Sequence, residues 1–187
     1  MIILGIDPGT ARMGYGVVKE EKGRKLALIE SDVLVTHPDL TPENRLKFLF
    51  KSLNLIIKKH KPDVMVIERL FFNTNAKTAI AVGQARGICM LAAANKRVRV
   101  CDYTALEAKL VLTGYGRSDK KVMQEAVRKI FNLSSQVKSD DANDAVAMAL
   151  CYIKKNKNTG GIVENKTKEN RTKTKAKVKR KVFPKKK

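Results

Sequence analysis

The sequence has few cysteines, few histidines and few aromatic residues for a chain of 187 residues. Its three cysteines are an odd number, lie far apart and form no CxxC pair, so a disulfide scaffold is excluded and a reducing compartment is expected. Its two histidines, His37 and His60, are too few for a histidine-based metal site and are expected at the surface. Any metal ion would therefore have to be bound by carboxylates.

Long apolar runs and an N-terminal targeting segment are also missing. The sequence contains no stretch of about eighteen uncharged apolar residues, so no membrane-spanning helix is expected. The N-terminal MIILGIDPGT has no basic segment and reaches Asp7 at once, so we expect no secretory signal and a cytoplasmic location.

Acidic residues are outnumbered, since 39 Lys and Arg stand against 18 Asp and Glu and give a formal charge of +21. Much of the excess lies between Lys154 and Lys187, where fifteen residues are basic and two are acidic. This stretch has almost no large apolar side chains, so we expect a folded domain of residues 1–155 and a disordered basic tail of residues 156–187. The tail could be an electrostatic arm for nucleic acid or a solubility feature, and its sequence does not decide between them.

Hydrophobic periodicity predicts an α/β fold. Short apolar runs predict strands at residues 2–6, 13–19, 26–29 (with a continuation through 33–35), 64–68 and 97–101. Helical spacing and capping signals predict helices from Thr41, at 76–95, from Thr104 to Gly114, at 118–131 and at 139–153. This order indicates a mixed five-stranded sheet, antiparallel at its start and parallel in its later strands, flanked by helices.

Two acidic residues follow apolar strands directly. Asp7 ends the first strand and Glu68 ends the strand at 64–68. In open α/β sheets, ligands bind beyond the carboxyl ends of the strands, so both side chains are candidates for a site. Taken singly, Asp7 could be an ordinary turn residue before Pro8, and Glu68 could form an ion pair with Arg69.

The last predicted helix begins with three acids. Asp141 and Asp144 lie about 60° apart on one face of this helix, whereas Asp140 points furthest from its apolar side. The alternative is that these acids only favour the positive end of the helix dipole, with Ser139 as N-cap.

Together these residues form an oxygen-rich set: Asp7, Glu68, Asp141 and Asp144. Carboxylates without histidine or cysteine are the ligands that Mg²⁺ or Mn²⁺ prefers. A pair of such ions can activate a water molecule and stabilise the leaving oxygen of a phosphodiester. A strongly basic chain with clustered acids is consistent with this chemistry on a polyanion.

Four segments carry a family resemblance. They are Ile6-Asp7-Pro8-Gly9-Thr10, Ile67-Glu68-Arg69-Leu70-Phe71, Gly83-Gln84-Ala85-Arg86-Gly87 and Asp141-Ala142-Asn143-Asp144-Ala145. In this order and spacing, over about residues 1–153, the chain resembles the RuvC family of Holliday-junction resolvases, which have a ribonuclease H-like fold. The basic tail lies outside the resemblance.

The resemblance implies a homodimeric, Mg²⁺-dependent endonuclease that acts on four-way DNA junctions in homologous recombination and DNA repair. Such an enzyme nicks two strands of like polarity symmetrically and leaves 5′-phosphate and 3′-hydroxyl ends. By motif position, Asp7, Glu68, Asp141 and Asp144 are the catalytic metal ligands, with Asp7 bridging two ions per active site and Mn²⁺ as a substitute. The family pattern does not contain Asp140. Family members also cooperate with a branch-migration motor.

Three further residues match DNA-binding positions of the family. Phe71 is expected to stack on unpaired bases near the junction point, with core packing as the alternative. Lys109 and Lys120 are expected to contact DNA, with a solvated helix face as the alternative. Gly83 and Gly87 favour either close packing on the sheet or, as the resemblance supports, close helix approach in a dimer.

Two other functions remain open from the sequence. A catalytically silent nucleic-acid-binding protein of the same fold would account for the basic tail. An enzyme of the same fold could also act on another substrate, such as RNA in a hybrid.

Overall fold

The structure, a computed structural model, describes residues 1–69 and 76–158. Its elements are β1 (Ile2–Asp7), β2 (Arg12–Glu20), β3 (Leu26–Val35), α1 (Pro42–His60), β4 (Val64–Glu68), α2 (Ala76–Asn95), β5 (Arg99–Tyr103), α3 (Ala105–Thr113), α4 (Lys120–Phe131) and α5 (Asp140–Asn158). A compact unit spans Met1–Lys154. The expected stacking residue Phe71 and all but the first residues of the expected tail lie outside the described residues.

The five strands form one sheet in the order β3-β2-β1-β4-β5. The β1 strand pairs antiparallel with β2 and parallel with β4, and β4 pairs parallel with β5. The mixed sheet that the sequence predicted is therefore confirmed. Because Ile6 pairs with Ile67 in the parallel register, Asp7 and Glu68 leave neighbouring strands at the same edge.

The sheet separates two hydrophobic cores. One core joins it to α3, α4 and α5 and contains Ile3, Val64 and Val66, and the other joins it to α1 and α2. Successive side chains of a strand point to opposite faces, so Asp7 lies on the face of Ile3, and Glu68 lies on the face of Val64 and Val66. Both acids therefore face the side of the sheet that α5 covers.

Glycines of the sheet allow α5 to approach the strands very closely. A Cβ atom on Gly14 would lie 1.9 Å from the carbonyl oxygen of Asp141, and one on Gly5 would lie 1.9 Å from the carbonyl oxygen of Ala145. Gly16 would clash with Val146 at 2.4 Å. These glycines let the first turns of α5, which carry the predicted acids, rest directly on β1 and β2.

Capping signals in the sequence identify the helix ends well. Thr104 and Glu107 form the predicted capping box, and Gly114 ends α3 in the left-handed conformation, with φ of 79°. Thr41 precedes α1, with Pro42 in its first turn. For α4 the predicted start is two residues early, because Asp119 accepts a hydrogen bond from the Val122 amide and α4 begins at Lys120.

Other sequence expectations need correction. The strand expected at 97–101 runs instead from Arg99 to Tyr103, because Arg97 adopts φ of 58° in the turn after α2. Helix α5 continues to Asn158, beyond the expected end at residue 153. His60 is mostly buried, with 9% of its side chain exposed, and its Nε2 lies 2.9 Å from Oε2 of Glu30. Within the described residues, no helix is long and apolar enough to cross a membrane.

Candidate active site

Asp7 and Glu68 form a hydrogen-bonded carboxyl pair at the edge of the sheet. Burial and the negative charge of Glu68 raise the pKa of Asp7 from 3.8 to about 8. Burial also raises the pKa of Glu68, although its hydrogen bond with Asp7 acts in the opposite direction. Burial therefore disfavours the charged form of both carboxyl groups.

Asp144 reaches the same cleft from α5. Burial and then the charge of Asp7 raise the pKa of Asp144 from 3.8 to about 6. Asp144 and Glu68 both line a cavity of about 160 Å³, together with Lys109 of α3 and Lys120 of α4. The structure thus brings Asp7, Glu68 and Asp144 within electrostatic reach of one another and places both predicted lysines beside Glu68 and Asp144.

Asp141 lies close enough for its charge to raise the pKa of Asp7, but its carboxylate is bound elsewhere. Its Oδ2 accepts a hydrogen bond from Nε of Arg12 at 2.7 Å. A second guanidinium nitrogen of Arg12 lies 3.4 Å from Oγ of Ser139. The fourth predicted acid therefore borders the cleft and is engaged by an arginine at its mouth.

The donor set agrees in chemistry, though not in geometry, with a divalent cation site. Half-buried carboxylates that repel one another and hold protons near neutral pH are stabilised when a hard cation binds between them. Among residues 1–69 and 76–158, however, no group of three or more His, Cys, Asp and Glu side chains converges to hold a metal ion. The Arg12–Asp141 ion pair holds one further potential ligand at the edge of the cluster.

Two charged neighbours of the predicted acids, Arg69 and Asp140, form ion pairs of their own. The alternative of an ion pair between Glu68 and Arg69 is wrong, because Arg69 lies 3.3 Å from Asp102 and 3.5 Å from Glu107. Asp140 lies 3.2 Å from Nζ of Lys120, which lines the same cavity as Glu68 and Asp144. That contact raises the pKa of Lys120 and keeps its ammonium group at the rim of the cleft.

Two arginines of the site were missed by sequence reasoning. Arg86, from the quoted Gly83-Gln84-Ala85-Arg86-Gly87 segment, donates from α2 to the carbonyl oxygen of Glu68 and ties α2 to the end of β4. Arg12 binds Asp141 from β2. A signal for Arg12 was present, because in the β1–β2 hairpin it lies beyond Gly14, the register partner of Asp7, at the same edge.

A family model described as crossover junction endodeoxyribonuclease RuvC matches residues 3–152. The chain belongs to the RuvC family. A curated relative of that name from Desulforamulus reducens is 47% identical over 164 residues, which cover 88% of this chain and 100% of the relative. Family membership agrees with the motif order and with the carboxyl pair at the strand ends.

Solved RuvC structures have the same fold. The Thermus thermophilus RuvC structure superposes with a TM-score of 0.78 at 28% identity, covering 84% of this chain and 96% of that chain. T. thermophilus RuvC in complex with Holliday junction substrate gives a TM-score of 0.77 at 27% identity with the same coverage. The mixed sheet and its flanking helices are therefore the ribonuclease H-like fold of the RuvC family.

Proposed function

We propose that this chain is a DNA endonuclease that resolves four-way (Holliday) junctions in homologous recombination and DNA repair. The observation that carries the proposal is the Asp7–Glu68 carboxyl pair at adjacent strand ends, with Asp144 in the same cleft. Membership of the RuvC family supports it, as does the solved complex of a relative with a Holliday junction.

The chemistry that we propose is metal-dependent phosphodiester hydrolysis. The ligands would be Asp7, Glu68, Asp141 and Asp144, and two Mg²⁺ ions, or Mn²⁺ in their place, would supply an activated water and charge stabilisation at the leaving oxygen. Asp7 would be the ligand that both ions share, because it interacts electrostatically with Glu68, Asp141 and Asp144. Because its pKa is raised, Asp7 would have to lose a proton before it could bind a cation.

DNA would enter over the lysines of the cleft. Lys109 is half-buried beside Glu68, and Lys120 is exposed at the rim, so both ammonium groups lie where phosphates next to the scissile bond would pass. Stacking of Phe71 on an unpaired base, worth ~1–3 kcal/mol, stays a prediction. The lysine-rich stretch after the domain would add affinity that is independent of sequence and falls with salt.

A dimer would form through α2. Its outward face carries exposed apolar residues and glycines: Ile80, Gly83, Gly87, Met90 and Leu91. A Cβ atom on Gly83 or Gly87 would meet nothing within 4 Å among the described residues, so these glycines are not explained by packing on the sheet. Small residues on an exposed apolar helix face favour close approach by a second copy of that helix, and a two-fold dimer would make two matched cuts. Cooperation with a branch-migration motor stays a prediction from the family.

The deciding experiment is cleavage of a synthetic mobile four-way junction by the full chain with Mg²⁺. We expect paired symmetric nicks, a loss of at least ~100-fold for Asp7→Asn, and unchanged junction binding by that variant, since lysines make the phosphate contacts. Asp39→Asn is the control, because Asp39 is 88% exposed and pairs with His37.

Parallel assays on a plain duplex and an RNA–DNA hybrid test the other two functions. Junction binding without metal-dependent nicking would indicate a silent binding protein and would overturn the proposal. Faster cleavage of the hybrid than of the junction would indicate another substrate and would overturn it too.

A further inference from the structure

Arg12 places a cation beside the acidic cluster from β2. It lies on the face of the sheet that α5 covers, as do Gly14 and Gly16 of the same strand. Its Nε lies 2.7 Å from Oδ2 of Asp141, and a second nitrogen reaches Oγ of Ser139 at 3.4 Å. About half of the Arg12 side chain is exposed, 53%, so the contact is not enforced by close packing.

This ion pair competes with the metal chemistry that the site is proposed to perform. A divalent ion bound to Oδ2 of Asp141 would lie about 2.1 Å from that oxygen, within a few Å of the guanidinium. Two positive groups so close repel each other, and one carboxylate oxygen cannot bind both the metal ion and the guanidinium group well.

We propose that Arg12 is a resident counter-ion of Asp141 that a divalent cation must displace to complete the site. Arg12 is thus a positioning residue: it acts through Asp141, holds that carboxylate in one rotamer while the site is free of metal, and lowers the affinity for the ion that Asp141 binds. The inference rests on the proposed metal-dependent function.

The test is a titration of the full chain with Mn²⁺ alone, without DNA, in which the electron paramagnetic resonance signal of free Mn²⁺ reports binding. Exposed ion pairs of this kind are weak, so we expect Arg12→Ala to bind Mn²⁺ about two- to five-fold more tightly than the unmodified chain. Arg12→Lys, which keeps the charge, should restore most of the original affinity.

Two comparisons separate this role from a general effect of charge or of folding. In an Asp141→Asn background, Arg12→Ala should give no gain, because the carboxylate through which it acts is gone. Lys19→Ala is the matched control: Lys19 lies at the other end of β2 and pairs with Glu21 at 2.9 Å. Its removal takes away the same charge far from the cleft and should leave Mn²⁺ affinity unchanged.

Unchanged affinity in Arg12→Ala would overturn the inference. So would an equal gain in Lys19→Ala or a gain that persists without Asp141. If instead the unmodified chain binds Mn²⁺ no better than Asp7→Asn does, the proposed metal site itself fails, and this inference fails with it. The titration therefore distinguishes the two failures.

Discussion

The Asp7 carboxyl group should make the metal-free protein less stable as the pH rises. The pKa of Asp7 is raised from 3.8 to about 8 in the folded chain, mainly by burial and by Glu68. In the unfolded chain Asp7 loses its proton near pH 4, whereas in the folded chain it keeps the proton until about pH 8. Ionising Asp7 in the folded chain lowers the free energy of unfolding. This loss of stability is therefore absent below about pH 4, grows between pH 4 and 8, and is complete above pH 8.

Replacing Asp7 with Asn should remove this cost. Asn has nearly the same shape, carries no charge and can still donate a hydrogen bond to Glu68. The full change in pKa corresponds to at most roughly 6 kcal/mol, since each pH unit is worth about 1.4 kcal/mol. Asp7 is partly exposed and shares its repulsion with Glu68, so we expect Asp7→Asn to be about 2 kcal/mol or more stable than the unmodified chain at pH 9.

Urea unfolding in EDTA at pH 4.5, 7 and 9 measures this difference directly. The gain for Asp7→Asn should be small at pH 4.5 and should increase with pH. The exposed Asp39→Asn should show no such trend. A gain that does not change with pH, or a variant less stable than the unmodified chain at pH 9, would refute the assignment of a strained carboxyl to Asp7. A gain that increases with pH would also show that the acidic site lowers the stability of the metal-free protein, a common trade-off at functional sites.

Two further predictions concern the packing of α5 on the sheet and of α2 in a dimer. Gly14→Ala should push the start of α5 away by about 1 Å or more, since its Cβ would lie 1.9 Å from the Asp141 carbonyl oxygen, and junction cleavage should fall ~100-fold. Gly116→Ala, whose Cβ would lie 3.3 Å from the Leu106 side chain and 3.8 Å from its carbonyl oxygen, should cleave normally, and equal losses in both variants would contradict the reasoning. Ile80→Glu should shift the protein from dimer to monomer in sedimentation equilibrium, whereas Leu55→Glu, on the equally exposed face of α1, should not.

The sequence predicted the parts of the site that depend on local pattern. Apolar strands that end in Asp7 and Glu68, and a helix that begins with acids, are readable because strand and helix periodicities fix which side chains share a face. The parallel register of β1 and β4 then brings Asp7 and Glu68 together. The choice of Asp141 and Asp144 over Asp140 stays a prediction, because Asp140 binds Lys120 and Asp141 binds Arg12 beside the cleft.

Contacts between residues far apart in the sequence could not be predicted from strand and helix periodicity. The Arg12–Asp141 pair joins residues 129 positions apart and depends on the seating of α5 against Gly14, which no periodicity reveals. The late start of β5 depends on Arg97, whose positive φ is uncommon for a residue that is not glycine. His60 was expected at the surface because an isolated histidine carries no sign that a Glu30 carboxylate covers it.

The central claim is that the gathered acids hold divalent ions. Diffraction from crystals of the full chain soaked in Mn²⁺, recorded at the manganese edge, locates such ions without relying on activity. We predict anomalous peaks about 2.2 Å from carboxylate oxygens of Asp7, Glu68 and Asp144, with Asp141 turned from Arg12 toward the second ion. A cleft without a peak, or Mn²⁺ bound only at other acids such as Asp140, would contradict the account.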